Sequence, residues 1–134
     1  MTPEEKELLL KDLCARLPYN VKVKVECGDI PYAPTILSKL DIKRKVALFN
    51  FEVKIENCKP YLRPMSSMTG EECVEFKWLN DKCDAMPTFE YVPIENYRIF
   101  DWLNRHHFDF RNLIERGLAI EVTEENNPYK EYKL

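Results

Sequence analysis

The chain has 134 residues, of which 45% are hydrophobic, 12% aromatic and 32% charged, with a net charge of −3. This length and apolar content predict one globular domain with one core, and they exclude a disordered chain. No apolar run approaches the ~18 residues of a membrane span, so we expect no membrane partner. The charge is uneven: residues 1–65 hold 12 basic and 9 acidic residues, and residues 66–134 hold 8 and 14.

The amino-terminal residues and the cysteines both indicate the cytoplasm. The opening MTPEEKELLLKDL carries acidic residues where a secretory signal needs a basic and then an apolar segment. The cysteines are odd in number, with no CxxC pair and no histidine at zinc-finger spacing. We therefore expect free, mostly buried thiols, no metal and no disulfide. The five are Cys14, Cys27, Cys58, Cys73 and Cys83.

The first segment predicts a capped helix of about 14 residues. Thr2 and Glu5 match a Thr-x-x-Glu capping box, and Pro3 suits the first helical position because no backbone donor is needed there. An apolar stripe with three- and four-residue spacing follows, and Pro18 ends it. The stripe consists of Leu9, Leu10, Leu13 and Leu17.

The next third of the chain predicts a small antiparallel sheet. Val21, Val23 and Val25 alternate with polar residues, which indicates a strand with one buried face. A strand is expected near residues 35–41, and the segment VALFNFEVKIEN at 46–57 has the clearest alternation. Such a long strand usually bends or splits. Its expected apolar face consists of Ala47, Phe49, Phe51, Val53 and Ile55.

Residues 59–68, KPYLRPMSSM, contain two prolines four residues apart, which favours an extended, polyproline-like connector. A second helix is expected from Thr69, where Glu72 completes another capping box. Its expected apolar stripe is Cys73, Phe76 and Leu79.

A third, largely buried helix is expected from Pro93, with His106 and His107 at its carboxyl end. A cation is favoured there by the helix dipole. Asp109 is then expected to cap a short helix that Gly117 ends in the left-handed conformation, and residues 118–122 would add an edge strand. The domain is thus predicted to span residues 1–122, with a polar tail at 123–134. The expected buried face of the third helix is Tyr97, Ile99, Phe100, Trp102 and Leu103.

The two adjacent histidines are the first candidates for chemistry. Neighbouring helical residues point about 100° apart, so His106 and His107 cannot both ligate one metal from a regular helix. One of them could be a general base with Asp101 or Asp109, since histidine titrates near neutrality. No nucleophile motif accompanies them, and helix capping explains their position. P-loop, GxGxxG, GxSxG and HExxH motifs are absent, so neither a cofactor nor a catalytic residue is predicted.

Basic residues in the first half form the second candidate site. If the strands pair, Lys22, Lys24 and Lys54 would share the solvent face and Lys43 to Lys45 would crown a turn. Such a surface could bind nucleic acid or a protein, although lysines also solvate sheets and protect their edges. The predicted partner-binding residues are Lys22, Lys24, Lys43, Arg44, Lys45, Lys54, Tyr61 and Arg63.

Three segments carry a resemblance to a known group of proteins: KELLLKDLCARLPY at 6–19, KPYLRPMSSMTGEE at 59–72 and FDWLNRHHFDFRNLIERGLAIEV at 100–122. They resemble small uncharacterised proteins of gut anaerobic bacteria and their phages or mobile elements, whereas residues 30–56 look different. That group has no known activity. The resemblance therefore implies an intracellular accessory protein and transfers no functional residue.

The expected fold is α+β: an amino-terminal helix, a small curved antiparallel sheet or SH3-like barrel, and carboxyl-terminal helices. The expected function is a non-catalytic module that binds a macromolecular partner, above all a protein, for instance as an inhibitor of host defence. Nucleic-acid binding through the basic sheet face is the alternative, and an enzyme using His106 or His107 is the third hypothesis. An exposed edge strand would also allow a homodimer.

Overall fold

A computed structural model of the chain describes residues 1–26, 33–49, 51–84 and 92–129, with only the backbone of 80–84 and 92–97. Within these ranges the fold is α+β, as the sequence predicts. The helices are α1 (Pro3–Arg16), α2 (Gly70–Asp84) and α3 (Val92–Arg105). The strands are β1 (Lys22–Val25), β2 (Thr35–Ile36), β3 (Leu40–Asp41), β4 (Val46–Leu48), β5 (Glu52–Lys54), β6 (Cys58–Pro64), β7 (Phe108–Asp109) and β8 (Ile120–Glu121).

The capped α1 helix packs on the sheet as predicted. The Thr2 hydroxyl accepts from the Glu5 backbone N–H at 3.1 Å, and the Glu5 carboxylate accepts from the Thr2 backbone N–H at 3.0 Å. These reciprocal bonds satisfy two donors that a helix leaves unpaired at its start. The buried side of α1 meets the buried side of β1 in one apolar cluster. That cluster includes Leu9, Leu10, Leu13, Val21, Val23 and Val25.

The larger of the two sheets has five strands, with β6 at its centre. Four of them follow the order β2-β1-β6-β7, and β8 also pairs with β6. The predicted polyproline-like connector is wrong for residues 59–64, which lie within this central strand. Pro60 pairs with Val23 of β1, and Tyr61 pairs with Ile120 of β8 on a parallel register. The prolines are tolerated because each pairs with one strand only, Pro60 with β1 and Pro64 with β7, so its missing N–H can face the side without a partner strand.

A second sheet of three antiparallel strands, in the order β3-β4-β5, holds the segment predicted as one long strand. β4 and β5 pair antiparallel, and the Phe49 backbone N–H donates to the Phe51 carbonyl at 3.0 Å. Ala47 therefore pairs with Val53 across the hairpin, and Phe51 is 42% exposed instead of lying on the buried face. The described strands thus form two sheets, and the SH3-like barrel is not supported.

A second apolar cluster lies under α2 and α3. Trp102, Leu103 and Phe108 are its buried members, and Phe76 and Leu79 of α2 pack against them half-buried. Phe100 is 44% exposed and Cys73 is also exposed, so these two residues depart from the predicted stripes. Tyr97 lies outside the described side chains. Of the predicted thiols, Cys58 is buried and Cys14 is half-buried, whereas Cys27 and Cys83 lie outside the described side chains.

The carboxyl-terminal segment folds back on the central strand. The Asp109 carboxylate accepts from the backbone N–H groups of Leu113 and Ile114 at 3.0 and 2.9 Å, as a cap should. The capped segment is a turn at 113–117 and not the predicted short helix, and Gly117 ends it with φ +75°. The edge strand expected near 118–122 is present as β8. Beyond it Tyr129 is 3% exposed, so the polar segment is docked at least that far.

None of the described helices combines the length and apolar character needed to cross a lipid bilayer.

Candidate functional site

His107 is a structural residue at the end of α3. Its φ of 62° places it in the left-handed conformation that ends many helices, and its backbone N–H donates to the Asn104 carbonyl at 3.1 Å. The side chain is 3% exposed and lies against the ring of Tyr129. Burial, with smaller contributions from the cations Arg16 and Arg63, lowers the pKa of His107 to about 3. A base this weak is poorly suited to proton abstraction at neutral pH.

His106 lies half-buried between aromatic rings and a carboxylate. Its ring centroid is 4.4 Å from that of Trp102, and its Nδ1 is 3.5 Å from Oε2 of Glu72. Burial lowers the pKa of His106, and the nearby Glu72 only partly opposes this. The sequence suggested that the helix dipole would favour a cationic histidine at the carboxyl end of α3. That expectation is wrong, because burial favours the neutral imidazole at both positions.

The aspartates considered as partners for a histidine base have structural roles. The Asp101 carboxylate accepts from the Tyr19 hydroxyl and from the Arg105 guanidinium. The Asp109 carboxylate is the cap described above. The geometry of the region therefore supports a structural role for the histidine pair.

Two of the eight predicted partner-binding residues lie in the interior. Arg63 is fully buried, and its guanidinium donates to both carboxylate oxygens of Glu72 at 2.7 and 2.8 Å while lying 4.2 Å from the Phe108 ring centroid. Burial alone would raise the pKa of Glu72, but bonds from Arg63 and the Thr69 backbone lower it overall. Tyr61 is 6% exposed within β6. Both are removed from the proposed surface, because their side chains face the core.

The other six predicted residues are divided between the two sheets. Lys22 and Lys24 lie on β1, and the Lys22 ammonium donates to the Pro128 carbonyl at 2.9 Å. Lys43, Arg44 and Lys45 occupy the exposed turn between β3 and β4, and Lys54 lies on β5. Two of the turn residues form ion pairs, Arg44 with Glu52 and Lys45 with Glu7. The structure therefore divides the predicted set and neutralises part of it.

An apolar groove between α2 and α3 is the first surface feature that the sequence reasoning missed. It has a volume of about 700 Å³. Val74 and Trp78 form its outer wall, 70% and 61% exposed, while Trp102 forms its floor and donates from Nε1 to Glu75 at 3.0 Å. The lining residues are Val74, Glu75, Trp78, Leu79, Trp102, Arg105 and His106.

A signal for this groove is present in the sequence. Val74 and Trp78 are four residues apart, so they share a helical face, and this face differs from the stripe formed by Phe76 and Leu79. An apolar pair outside the buried stripe of an amphipathic helix indicates a contact surface.

A second pocket lies between α1 and α3 and has a volume of about 840 Å³. Exposed Lys11 and Arg98 lie at its rim, and Arg111 is half-buried. The rings of Phe100 and Phe110 stack in its wall, with centroids 5.3 Å apart and planes at 23°. The lining residues are Lys11, Ala15, Arg98, Phe100, Asp101, Asn104, Phe110 and Arg111.

A buried charge cluster supports the second pocket from behind. Asp12 is fully buried and accepts from Arg16 at 2.9 Å and from Arg111 at 2.6 Å. Arg16 is also fully buried and donates to the Phe108 carbonyl at 2.5 Å. Burial lowers the pKa of Arg16 against the opposing effect of Asp12. The two guanidinium groups share this carboxylate, and the Asp109 carboxylate also acts on Arg16.

The pocket also contains a polar group whose bonding is incomplete. Asn104 is 6% exposed, and its buried Oδ1 accepts no hydrogen bond within the described structure. An unpaired buried acceptor costs about 1–3 kcal/mol, so a water molecule or a ligand that donates to Oδ1 would be stabilising here.

Among the described residues, no three histidine, cysteine or carboxylate side chains come together in a group that could hold a metal ion.

Comparisons of the chain with protein-family models, with curated protein sequences and with solved structures give no match.

Proposed function

We propose that the chain is a non-catalytic binding module that contacts a protein partner through the groove between α2 and α3. In this proposal it is a cytoplasmic accessory protein of phage or mobile-element type, and a component of host defence is one target class. The observation that carries the proposal is the exposure of Trp78 beside Val74 in a groove that has a buried aromatic floor.

Exposed tryptophan in a concave apolar surface is the feature that favours a protein partner. Large apolar side chains are costly to leave in water, and tryptophan is enriched among the residues that dominate binding energy at interfaces. Trp102 shows the contrast within the same groove, because it is 6% exposed whereas Trp78 is 61% exposed. Trp102 supports the groove, and Trp78 is the residue offered to a partner.

Charge around the groove defines the chemistry of the partner. Glu71, Val74, Glu75 and Trp78 have the spacing of one helical face, and all four are exposed. The cation across the groove, Arg105, is paired with Asp101 at 2.7 Å. The exposed face of α2 therefore combines apolar and acidic groups. We infer a partner segment that inserts one large aromatic or aliphatic side chain and places lysine or arginine beside it.

Nucleic-acid binding is the alternative, and exposed Lys24, Lys43 and Lys54 favour it. These residues belong to two sheets, and the turn between β3 and β4 has two of its three cations paired with glutamate. Nucleic-acid affinity depends on many unpaired cations along one surface. This arrangement therefore supplies less of the required charge than the sequence suggested.

A selection from a displayed peptide library tests the proposal. The full chain is the bait, and each round is counter-selected on Trp78→Ala, with Phe51→Ala as the matched control because Phe51 is an exposed aromatic residue between β4 and β5, outside the groove. We expect enriched peptides that contain a large apolar residue beside lysine or arginine. They should bind wild type and Phe51→Ala equally, and Trp78→Ala at least about tenfold more weakly.

Two results would overturn the proposal. One is equal binding of every enriched peptide to Trp78→Ala and wild type. The other is salt-sensitive binding of a labelled oligonucleotide that is lost when Lys24, Lys43 and Lys54 are changed to glutamate, together with no peptide enrichment. Sedimentation of the free protein identifies a second copy of the chain as the occupant of the groove if Trp78→Ala abolishes self-association.

A further inference from the structure

The pocket between α1 and α3 is separate from the partner groove. Phe100 and Asn104, four residues apart on α3, line this pocket, whereas Trp102 and His106 line the groove. The two surfaces therefore use different faces of α3. A ligand in the pocket is an independent function of the fold, and its test does not depend on the protein partner.

Three cationic residues line the pocket, together with Asp101, whose carboxylate is paired with Arg105. Lys11 lies on α1, Arg98 lies on α3, and Arg111 lies in the segment after β7. Asp12 holds Arg111 in place at 2.6 Å and also accepts from Arg16 at 2.9 Å, so the two guanidinium groups share one carboxylate. Lys11 has no ion pair with a described residue. An anionic group would therefore meet several cations, of which at least one is held in a fixed position.

A planar stack forms the apolar wall of the same pocket. The Arg111 guanidinium lies 4.2 Å from the Phe110 ring centroid. The Phe100 ring stacks on the Phe110 ring, with the two centroids 5.3 Å apart. Phe100 is 44% exposed, so its ring offers a surface on which another planar group could pack. Aromatic platforms next to cations are the usual means by which proteins hold single nucleobases.

Asn104 supplies the third element. Its side chain lines the pocket, is more than nine-tenths buried, and has a carbonyl oxygen that accepts no hydrogen bond within the described structure. An asparagine amide presents an acceptor and donors side by side, which suits the edge of an adenine ring with its amino group and N7.

We infer that this pocket binds a nucleotide, with a planar base packed on Phe100 and bonded to Asn104, and with the phosphate beside Lys11 and Arg98. The volume of about 840 Å³ accommodates a ligand of this size. No covalent step is involved, because the pocket supplies only charge, a stacking surface and an amide.

Titration of the full chain with three probes tests the inference. Adenosine monophosphate carries both recognition elements, adenosine lacks the phosphate, and inorganic phosphate lacks the base. The titration is followed by amide chemical shifts. We expect the monophosphate to bind saturably, and the largest shift changes to fall on the amides of Phe100 to Asn104. Adenosine and phosphate should each bind at least about tenfold more weakly.

Variants identify the groups that carry this binding. Phe100→Leu and the double change Lys11→Gln with Arg98→Gln should each weaken the monophosphate about tenfold. Lys77→Gln is the matched control, because Lys77 is an exposed lysine on α2 away from the pocket. Unchanged melting temperatures show that the variants fold, since Lys11 and Arg98 are exposed.

Three outcomes contradict the inference: no saturation by the monophosphate, binding of inorganic phosphate as tight as that of the monophosphate, and equal binding by wild type and both pocket variants.

Discussion

The imidazole of His107 and the phenol ring of Tyr129 lie parallel, with centroids 4.0 Å apart and planes at 10°. The Tyr129 hydroxyl accepts from the Lys22 backbone N–H at 2.8 Å and donates to the Tyr61 carbonyl at 2.9 Å. This pair therefore joins the end of α3, the neighbouring strands β1 and β6 of the larger sheet, and the carboxyl-terminal segment. His107 is therefore neither an exposed base nor a surface cation, since it is 3% exposed.

The burial of His107 predicts a loss of stability in mild acid. Its pKa is about 3 in the folded chain and 6.5 as an unperturbed group, so the unfolded chain takes up a proton first as the pH falls. The free energy of unfolding should fall by ~2 kcal/mol between pH 8 and pH 5 from this residue alone, and further until about pH 3. Urea denaturation at a series of pH values measures the loss.

The variant His107→Asn separates this contribution from that of other groups. Asparagine tolerates the left-handed backbone at this position but does not titrate. Its stability should therefore change much less between pH 8 and pH 5, even if the variant is less stable at pH 8. His106→Gln is the control and should keep most of the pH dependence. An unchanged slope in His107→Asn would show that other groups cause the acid sensitivity.

Removal of the buried carboxylate of Asp12 should strongly destabilise the fold. Asp12→Asn leaves Arg16 buried without its counter-ion, and losing one partner of a buried pair costs about 3–5 kcal/mol. Glu7→Gln on the same helix is the matched control. Because Glu7 and Lys45 are both largely exposed, loss of their ion pair should lower the free energy of unfolding by less than ~1 kcal/mol. Equal costs in denaturant titrations would refute the distinction between the two pairs.

Gly117 and Gly70 should respond to alanine with opposite signs. Gly117 has φ +75° and open space around its missing Cβ, so Gly117→Ala costs only backbone strain, about 1–2 kcal/mol. Gly70 begins α2, also in open space, so Gly70→Ala should raise stability by up to ~1 kcal/mol. Melting curves of the two variants measure both effects. A stabilising Gly117→Ala would show that the turn does not need the left-handed conformation.

The features that could be predicted from sequence are the ones that neighbouring residues determine. Both Thr-x-x-Glu capping boxes are present, since Thr69 and Glu72 bond as Thr2 and Glu5 do. The alternation of Val21, Val23 and Val25 correctly identified the buried face of β1. In each case the bonding partner lies within a few residues, so a short pattern contains the whole interaction.

The features that could not be predicted depend on partners far along the chain. Residues 59–64 read as a connector because Pro60 and Pro64 disfavour regular pairing, yet β1, β7 and β8 converge on them. The sequence predicts Arg63 to be a surface cation because the helix cap alone accounts for its partner Glu72. Tyr129 is predicted to lie in a polar tail because the two backbone groups that bond its hydroxyl, on Tyr61 and Lys22, are 68 and 107 residues away. The α2–α3 groove follows the same rule in part: the spacing of Val74 and Trp78 indicates one wall, but the floor comes from Trp102 on α3.

Quenching of Trp78 fluorescence by acrylamide tests most directly whether the α2–α3 groove is the contact surface. The chain has two tryptophans, so Trp102→Phe leaves Trp78 as the only tryptophan, which is excited selectively over the tyrosines at the red edge of its absorption band. Free Trp78 should be quenched readily because it is 61% exposed, and saturation with a library-selected peptide should lower the quenching constant severalfold. A quenching constant that stays the same with the peptide fully bound would contradict the account, because the partner would then occupy another surface.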